Sequence, residues 1–320
     1  MDFDNQRQKE LMQIIDNLIL QRTLPAKERI KTLGLLEITA AGNIGFILQE
    51  LLKTECDHDV LINIANSLVK YGNEECVMQL VDIVLGNREI DGADDPIKEE
   101  PDKFLKVRCA LIKVLGRLKD EKAVIPLMYM LNEKDENYKI RLNAAEALGR
   151  IGDTYAVNPL INLVVDEKES SVYVKESAAK ALGMLGDVRA VKPLVEMLGS
   201  KKGIFSKFTF LKEQVIEAIG RIGPSSDKET IKALKDSLMD EAPSVRLSAG
   251  ETLASMGDDS LINILIPVIY DEEEDVAREA VRGVSSLGGH LDLKNLLEDD
   301  KLPGWSRDEI EMSFEGGNDV

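Results

Sequence analysis

One block of fourteen residues recurs in register along the chain, and no other feature constrains the fold as tightly. It reads VKESAAKALGMLGD at 174–187, IRLNAAEALGRIGD at 140–153 and VRCALIKVLGRLKD at 107–120. Downstream it continues as LKEQVIEAIGRIGP at 211–224, VRLSAGETLASMGD at 245–258 and, more worn, VAREAVRGVSSLGG at 276–289. One anchor position per copy (Gly116, Gly149, Gly183, Gly220, Ala254, Ser285) gives spacings of 33, 34, 37, 34 and 31 residues. A period of this size predicts stacked two-helix units, because a single unit has no second surface against which to bury its apolar face.

Apolar residues stand nine positions before each anchor: Val107, Ile140, Val174, Leu211, Val245 and Val276. Others stand one before it and two after it. With the small pairs Ala144-Ala145 and Ala178-Ala179, this is one face of a helix, and the alanines permit close helix approach. A second glycine (Gly152, Gly186, Gly223, Gly257, Gly288) falls where a helix end needs positive φ. Asp153, Asp187 and Asp258 follow it and suit the N-cap of the next helix. That helix is short and apolar on one side, at 156–165, 190–198 and 261–270. Pro126, Pro159, Pro193 and Pro267 fall at similar places in it, so a mild kink is expected there. Eight positions before the anchor stand Arg108, Arg141, Lys175, Lys212 and Arg246, with Asp135, Asp166 and Asp240 upstream. They suit an ion-pair and capping ladder between repeats; the alternative is a basic ladder for a ligand. Exposed pairs of this kind contribute only ~0–1 kcal/mol each.

The residues Val174-Lys175, Ala178-Ala179, Ala181-Leu182-Gly183, Leu185-Gly186-Asp187 and Ala190-Val191 carry a family resemblance, and Asp240, Pro243, Val245-Arg246 and Ala249 give its other half. On them the chain resembles the HEAT-like repeats first associated with phycobilin lyases (the PBS lyase HEAT-like repeat family). The resemblance covers roughly 104–287 and continues weakly through 60–84 and 30–52. It implies an all-α fold: a right-handed α-α superhelix, a HEAT-like solenoid of about 7–8 two-helix repeats whose second helices line a concave face. The expected organisation is an N-terminal capping helix over 1–24, the solenoid over 25–297 and an acidic C-terminal tail over 298–320. Within the solenoid, 104–288 is clearest, 86–104 is an acidic insertion expected to be a mobile, solvated loop, and 201–210 is a Lys/Phe insertion.

Charge bounds the partners. Of the net −18, the stretches 86–104, 271–275 and 298–320 carry −4, −5 and −6, so the helical body is nearly balanced. A solenoid that binds duplex nucleic acid needs a positive stripe to offset phosphate charge, and none of that scale is evident. Nucleic acid is therefore not an expected partner. No run of 18 apolar residues exists, so no membrane span is expected, and MDFDNQRQKE lacks the pattern of a signal peptide. Cys56, Cys76 and Cys109 are odd in number and widely spaced, which fits inert thiols in a reducing cytoplasm. A cytoplasmic monomer is expected.

Chemistry-bearing motifs are sparse. The run Cys56-Asp57-His58-Asp59 invites a metal reading, but adjacent residues point different ways, and a polar turn capping the helix from Val60 explains it. His58 and His290 are the two histidines and neither sits in a repeated motif. The His-Glu pairs with which HEAT-like deoxyhypusine hydroxylases hold iron are absent from the sequence, as is the basic concave surface of HEAT-like alkylpurine glycosylases. No catalytic residue, metal ligand or cofactor is therefore assigned. From 201 through 212 there are four lysines and no acid, with three of the chain's seven phenylalanines. Phe205, Phe208, Phe210 and Lys207 are thus the leading candidates for partner contact, against the alternative that the aromatics pack the lengthened hairpin. Three positions before the anchor lies an outward row of mixed sign: Lys113, Glu146, Lys180, Glu217, Glu251 and Arg282. It reads either a charged partner or neutralisation between neighbouring repeats. Tyr173 and Phe210, equivalent in adjacent units, with Tyr138 one position off, suggest an aromatic strip at its edge. The function expected is a non-enzymatic scaffold or adaptor that binds a protein partner on its concave face and inter-helix loops. The alternative, implied by the family resemblance alone, is a phycobilin-lyase-like protein that handles a chromophore or cofactor.

Overall fold

The computed structural model describes residues 13, 24–39, 43–72, 74–90, 93–94, 96–200, 207–223 and 227–315. The expected capping helix over 1–24 (Gln13 and Leu24 apart), residues 201–206 with Phe205, and the last five residues lie outside them. The fold is all-α, built from repeated helix pairs, and its contacts divide it into two compact units, 1–156 and 157–320.

The first unit contains α1 (Ala26–Thr39), α2 (Ile44–Leu52), α3 (His58–Tyr71), α4 (Glu74–Leu85), α5 (Pro101–Leu118), α6 (Val124–Asn132) and α7 (Tyr138–Ile151). Here α1 packs on α3, α3 on α5 and α5 on α7, while the intervening helices form the other layer. Leu61, Ile64, Leu68, Leu111, Leu115, Leu127, Leu131, Ile140 and Leu148 are buried between the layers. The acidic insertion is more ordered than the expected solvated loop. Two-residue strands β1 (Glu89–Ile90) and β2 (Ala93–Asp94) pair antiparallel, and a 3-10 turn follows at Pro96–Glu99. Ile97 in that turn is 1% exposed, its carbonyl lies 3.2 Å from His58 Nε2, and Lys98 donates to the Gly86 carbonyl at 3.0 Å. One buried apolar residue among the acids thus pins the segment to the core.

The second unit contains α8 (Val157–Val165), α9 (Val172–Leu185), α10 (Val191–Leu198), α11 (Thr209–Ile222), α12 (Lys228–Ser237), α13 (Pro243–Ser255), α14 (Ile262–Leu265), α15 (Glu274–Ser286), α16 (His290–Leu296) and α17 (Gly304–Glu315). The second helices α9, α11, α13 and α15 stack in order, and α17 extends the row beyond α15. The acidic stretch after 297 therefore includes a packed helix, with Ile310 buried and Ser306 Oγ donating to the Ile269 carbonyl at 2.7 Å. Leu234, Leu253, Leu265, Ile269, Val281 and Leu293 form one apolar core with it.

The repeated turn has the chemistry its sequence requires. Gly152 and Gly186 end α7 and α9 at φ of 87° and 66°, the left-handed region a Cβ disfavours. The copy that reads LKD places Lys119 there instead, at φ 55°. Asp120, Asp153, Asp187 and Asp258 then accept from the backbone N–H two residues on, at 2.8–2.9 Å. The expected kink in the following helix takes the form of a switch: a 3-10 turn precedes α6, α8, α10 and α14. Pro126, Pro159 and Pro193 sit third in the α-helical part, within the first turn, where the missing N–H costs least.

Candidate functional site

Two devices hold the second helices as a stiff row. The first is close approach at the anchor. A Cβ on Gly116 would lie 2.9 Å from Ala147 Cα, and one on Gly183 would lie 2.9 Å from Ala218 Cα. Gly220 meets Thr252 and Gly283 meets Ala254 in the same way. In each pair the anchor of one repeat (Gly116, Gly183, Gly220, Ala254) thus faces the residue two positions before the anchor of the next (Ala147, Ala218, Thr252, Gly283).

The second device is the basic ladder, which satisfies backbone carbonyls rather than presenting cations to a ligand. Arg108 Nε donates to the Val84 carbonyl at 2.7 Å, Arg141 Nε to Leu131 at 3.0 Å and Lys175 Nζ to Val164 at 3.1 Å. These carbonyls lie at the ends of the preceding first helices, where they lack intrahelical donors and carry the negative end of the helix dipole. Acids complete the ladder: Arg108 pairs with Glu136, Lys212 with Asp240 at 2.6 Å, and Arg246 with Asp271 through two bonds of 2.7 Å.

The outward side of the second unit's row carries most of the sequence-selected contact residues. On α9 it presents Tyr173, Glu176, Lys180 and Met184; on α11, Phe210, Glu213, Glu217 and Arg221. Tyr173, Phe208 and Phe210 are 64%, 43% and 56% exposed, so the lengthened hairpin does not bury its described aromatics. Phe208 holds the N-cap position of α11 without a capping side chain, and Lys207 beside it is exposed. Glu251 stands on α13 and Arg282 on α15.

Part of this row is neutralised between neighbours. Arg221 reaches Glu217 at 3.5 Å, and Arg282 reaches Glu279 at 3.3 Å and Glu309 at 2.8 Å. The remaining carboxylates crowd one another. Burial, then Glu213, raises the Glu176 carboxyl above its ordinary pKa, and burial, then Glu279 and Glu217, does the same to Glu251. The second unit therefore sets exposed aromatics beside a strip of carboxylates. Glu176, Glu213 and Glu279 are not among the residues the sequence singles out, which stand three, eight and ten before the anchor. The row seven before it holds the first two.

Lys113 on α5 and Glu146 on α7 belong to the first unit, with Tyr138 at the exposed start of α7. The Cys56–Asp59 run is a capping turn: Asp57 Oδ1 accepts from the N–H groups of Asp59 and Val60 at 3.0 and 3.1 Å. Among the described residues no group of three or more His, Cys, Asp or Glu is placed to hold a metal ion, and no helix is long and apolar enough to cross a membrane.

The family model for HEAT repeats matches residues 97–172, 126–204 and 208–298. No curated protein matches the chain. Among solved structures, the karyopherin Kap121p bound to the extreme C-terminus of the protein phosphatase Cdc14p aligns at TM-score 0.53 and 14% identity, over 94% of this chain and 37% of that one. The E. coli protein YibA aligns at TM-score 0.51 and 16% identity, over 82% of this chain and 91% of its own. The CpcE and CpcF complex of phycocyanin lyase from Nostoc sp. aligns at TM-score 0.43 and 21% identity, over 73% and 92%. The matched repeats span well over half of the sequence, and the chain belongs to the HEAT-repeat family.

Proposed function

We propose that the protein is a non-enzymatic cytoplasmic scaffold that binds a partner polypeptide along the outward face of α9, α11 and α13. The observation that carries this is the pairing of exposed Tyr173, Phe208 and Phe210 with the crowded carboxylates Glu176, Glu213 and Glu251. Large aromatics left in water next to unneutralised charge are the composition of a binding surface rather than of a solvated helix face. The occupant this surface favours is a segment bearing Lys or Arg beside apolar side chains. Its cations relieve the carboxylate repulsion, and its apolar groups cover the rings. A rigid row suits this task, since a preorganised surface loses little entropy on binding. The karyopherin neighbour, solved with a phosphatase C-terminus bound, is a precedent for the fold holding a polypeptide.

Selection from a random peptide display library on the immobilised intact chain tests this. The expected result is enrichment of sequences that combine Lys or Arg with aromatic or aliphatic residues. Binding should fall at least tenfold in a Tyr173→Ser, Phe208→Ser, Phe210→Ser variant whose unfolding temperature is unchanged. Enrichment of peptides that bind this variant equally well would remove the face from the function.

A further inference from the structure

The first unit carries a surface of opposite sign that the mixed-sign row conceals. On α5 the outward positions are Lys106, Cys109, Lys113 and Arg117; on α7 they are Lys139, Leu142, Glu146 and Arg150. Five cations and one carboxylate thus face outward from two adjacent helices. The helices meet at the Gly116–Ala147 contact, and Arg150 Cδ packs 3.4 Å from the position a Cβ on Gly116 would take. Lys113 and Lys139 both bear electrostatically on the half-buried Cys109 thiol between the rows, so the two lines of charge converge.

Elsewhere the outward row neutralises its arginines. Arg221 pairs with Glu217, Arg278 with Glu274 at 2.8 Å and Glu309 at 2.9 Å, and Arg282 with Glu279 and Glu309. The side-chain cations of Lys106, Lys113, Arg117, Lys139 and Arg150 make no ion pair or hydrogen bond among the described residues. In a chain of net charge −18, five cations left unpaired on one helix seam are charge held for something outside the chain.

We propose that the outward face of α5 and α7 is a docking surface for an acidic polypeptide segment. Lys106 to Arg117 spans eleven residues of helix, about 16 Å at 1.5 Å per residue, a length that some five to seven residues of extended chain match. The parallel line on α7 lies about 8–10 Å away. Asp or Glu side chains on alternate faces of one segment reach both lines, and an apolar residue between them rests on Leu142 and Cys109. The size of the patch favours a peptide over nucleic acid. A strand with one phosphate per nucleotide runs past the five cations onto a protein that is otherwise acidic, where each further phosphate is repelled.

The test is fluorescence anisotropy of the intact protein with a fluorescein-labelled acidic peptide, EELEDLE, its neutral counterpart QQLQNLQ, and a 12-nucleotide single-stranded DNA. The expected result is binding of the acidic peptide, at least tenfold tighter than either alternative, weakening several-fold between 50 and 300 mM NaCl. A Lys106→Glu, Lys113→Glu, Lys139→Glu variant should lose at least tenfold in affinity. A Lys192→Glu, Lys228→Glu, Lys232→Glu variant, with the same change in net charge but on exposed lysines of α10 and α12, should lose less than twofold. The side chains altered in both variants are exposed, and unchanged circular dichroism and unfolding temperature establish that each is folded. Arg117→Gln with Arg150→Gln, which removes charge without reversing it, should lose about threefold. No binding of EELEDLE, equal losses in the two triple variants, or tighter binding of the DNA would each overturn the proposal.

Discussion

The close helix approach at the anchors can be tested by adding one methyl group in two places. In α9, a Cβ on Gly183 would lie 2.9 Å from Ala218 Cα, 3.3 Å from Ala218 Cβ and 3.5 Å from Arg221 Cδ. Carbon atoms prefer separations of about 3.5–4.0 Å, so α9 and α11 must part locally by roughly 0.6 Å or more. Overpacking of this kind costs about 1–3 kcal/mol. Replacing a helical glycine by alanine returns about 1 kcal/mol of backbone entropy. Gly183→Ala should therefore destabilise the second unit by about 1 kcal/mol, since the contacted atom is backbone and cannot rotate away. In α13, a Cβ on Gly250 meets only Leu238 Cδ2 at 3.9 Å, an ordinary contact. Gly250→Ala carries the entropy gain alone and should stabilise by about 0.5–1 kcal/mol. Urea unfolding followed by circular dichroism reads both. With an m-value of about 3 kcal/mol/M, the midpoints should move by about 0.3 M in opposite directions. If the two substitutions shift the midpoint the same way, the helices are not held as close as the anchor contacts require.

Three further outcomes follow from the caps, the ladder and the carboxylate strip. Lys119→Gly should raise stability by about 1 kcal/mol, because Lys119 adopts φ 55° where the other copies carry glycine; an unchanged unfolding temperature would contradict this. Arg246→Ala should cost about 3 kcal/mol or more, since it strands Asp271 and the Asp240 carbonyl, which Arg246 Nη1 bonds at 2.9 Å; a loss below 1 kcal/mol in urea unfolding would show the ladder to be ornamental. Glu251→Gln should stabilise at pH 7 by about 0.5 kcal/mol after solvent screening. The native state raises this carboxyl's pKa, so it holds its proton to higher pH than the unfolded chain and stability falls as pH rises through that value. The advantage of glutamine should accordingly vanish below the ordinary carboxylate pKa, and an advantage that persists at pH 3 would refute the cause.

Architecture was legible in the sequence because the repeat residues are the packing residues. Val174, Ala178, Leu182 and Gly186 each do in α9 what their spacing predicts. The same is true of Asp153 and Asp187, whose side chains cap the turns they precede. Surface chemistry was far less legible. A single row of the repeat, three before the anchor, alternates sign between Lys113 and Glu146 and so suggested neutrality. The cation cluster emerges only when Lys106, Lys139, Arg117 and Arg150, which lie ten before and one after their anchors, are placed on the same two helix faces. Helical geometry, rather than proximity in sequence, brings them together. The order within the acidic insertion was hidden for a related reason: its composition is that of a solvated loop, yet buried Ile97 and Arg88 and the Lys98 bond to the Gly86 carbonyl tie its described residues to the helices.

The most direct test of the scaffold account is hydrogen exchange of the intact protein with and without a peptide selected on it by display. Slowed exchange confined to 172–176, 208–213 and 247–251, where Tyr173, Glu176, Phe208, Phe210, Glu213 and Glu251 face outward on α9, α11 and α13, is the predicted result. Protection instead on the first-helix side, around the exposed Tyr129, Tyr155 and Val188, would contradict it.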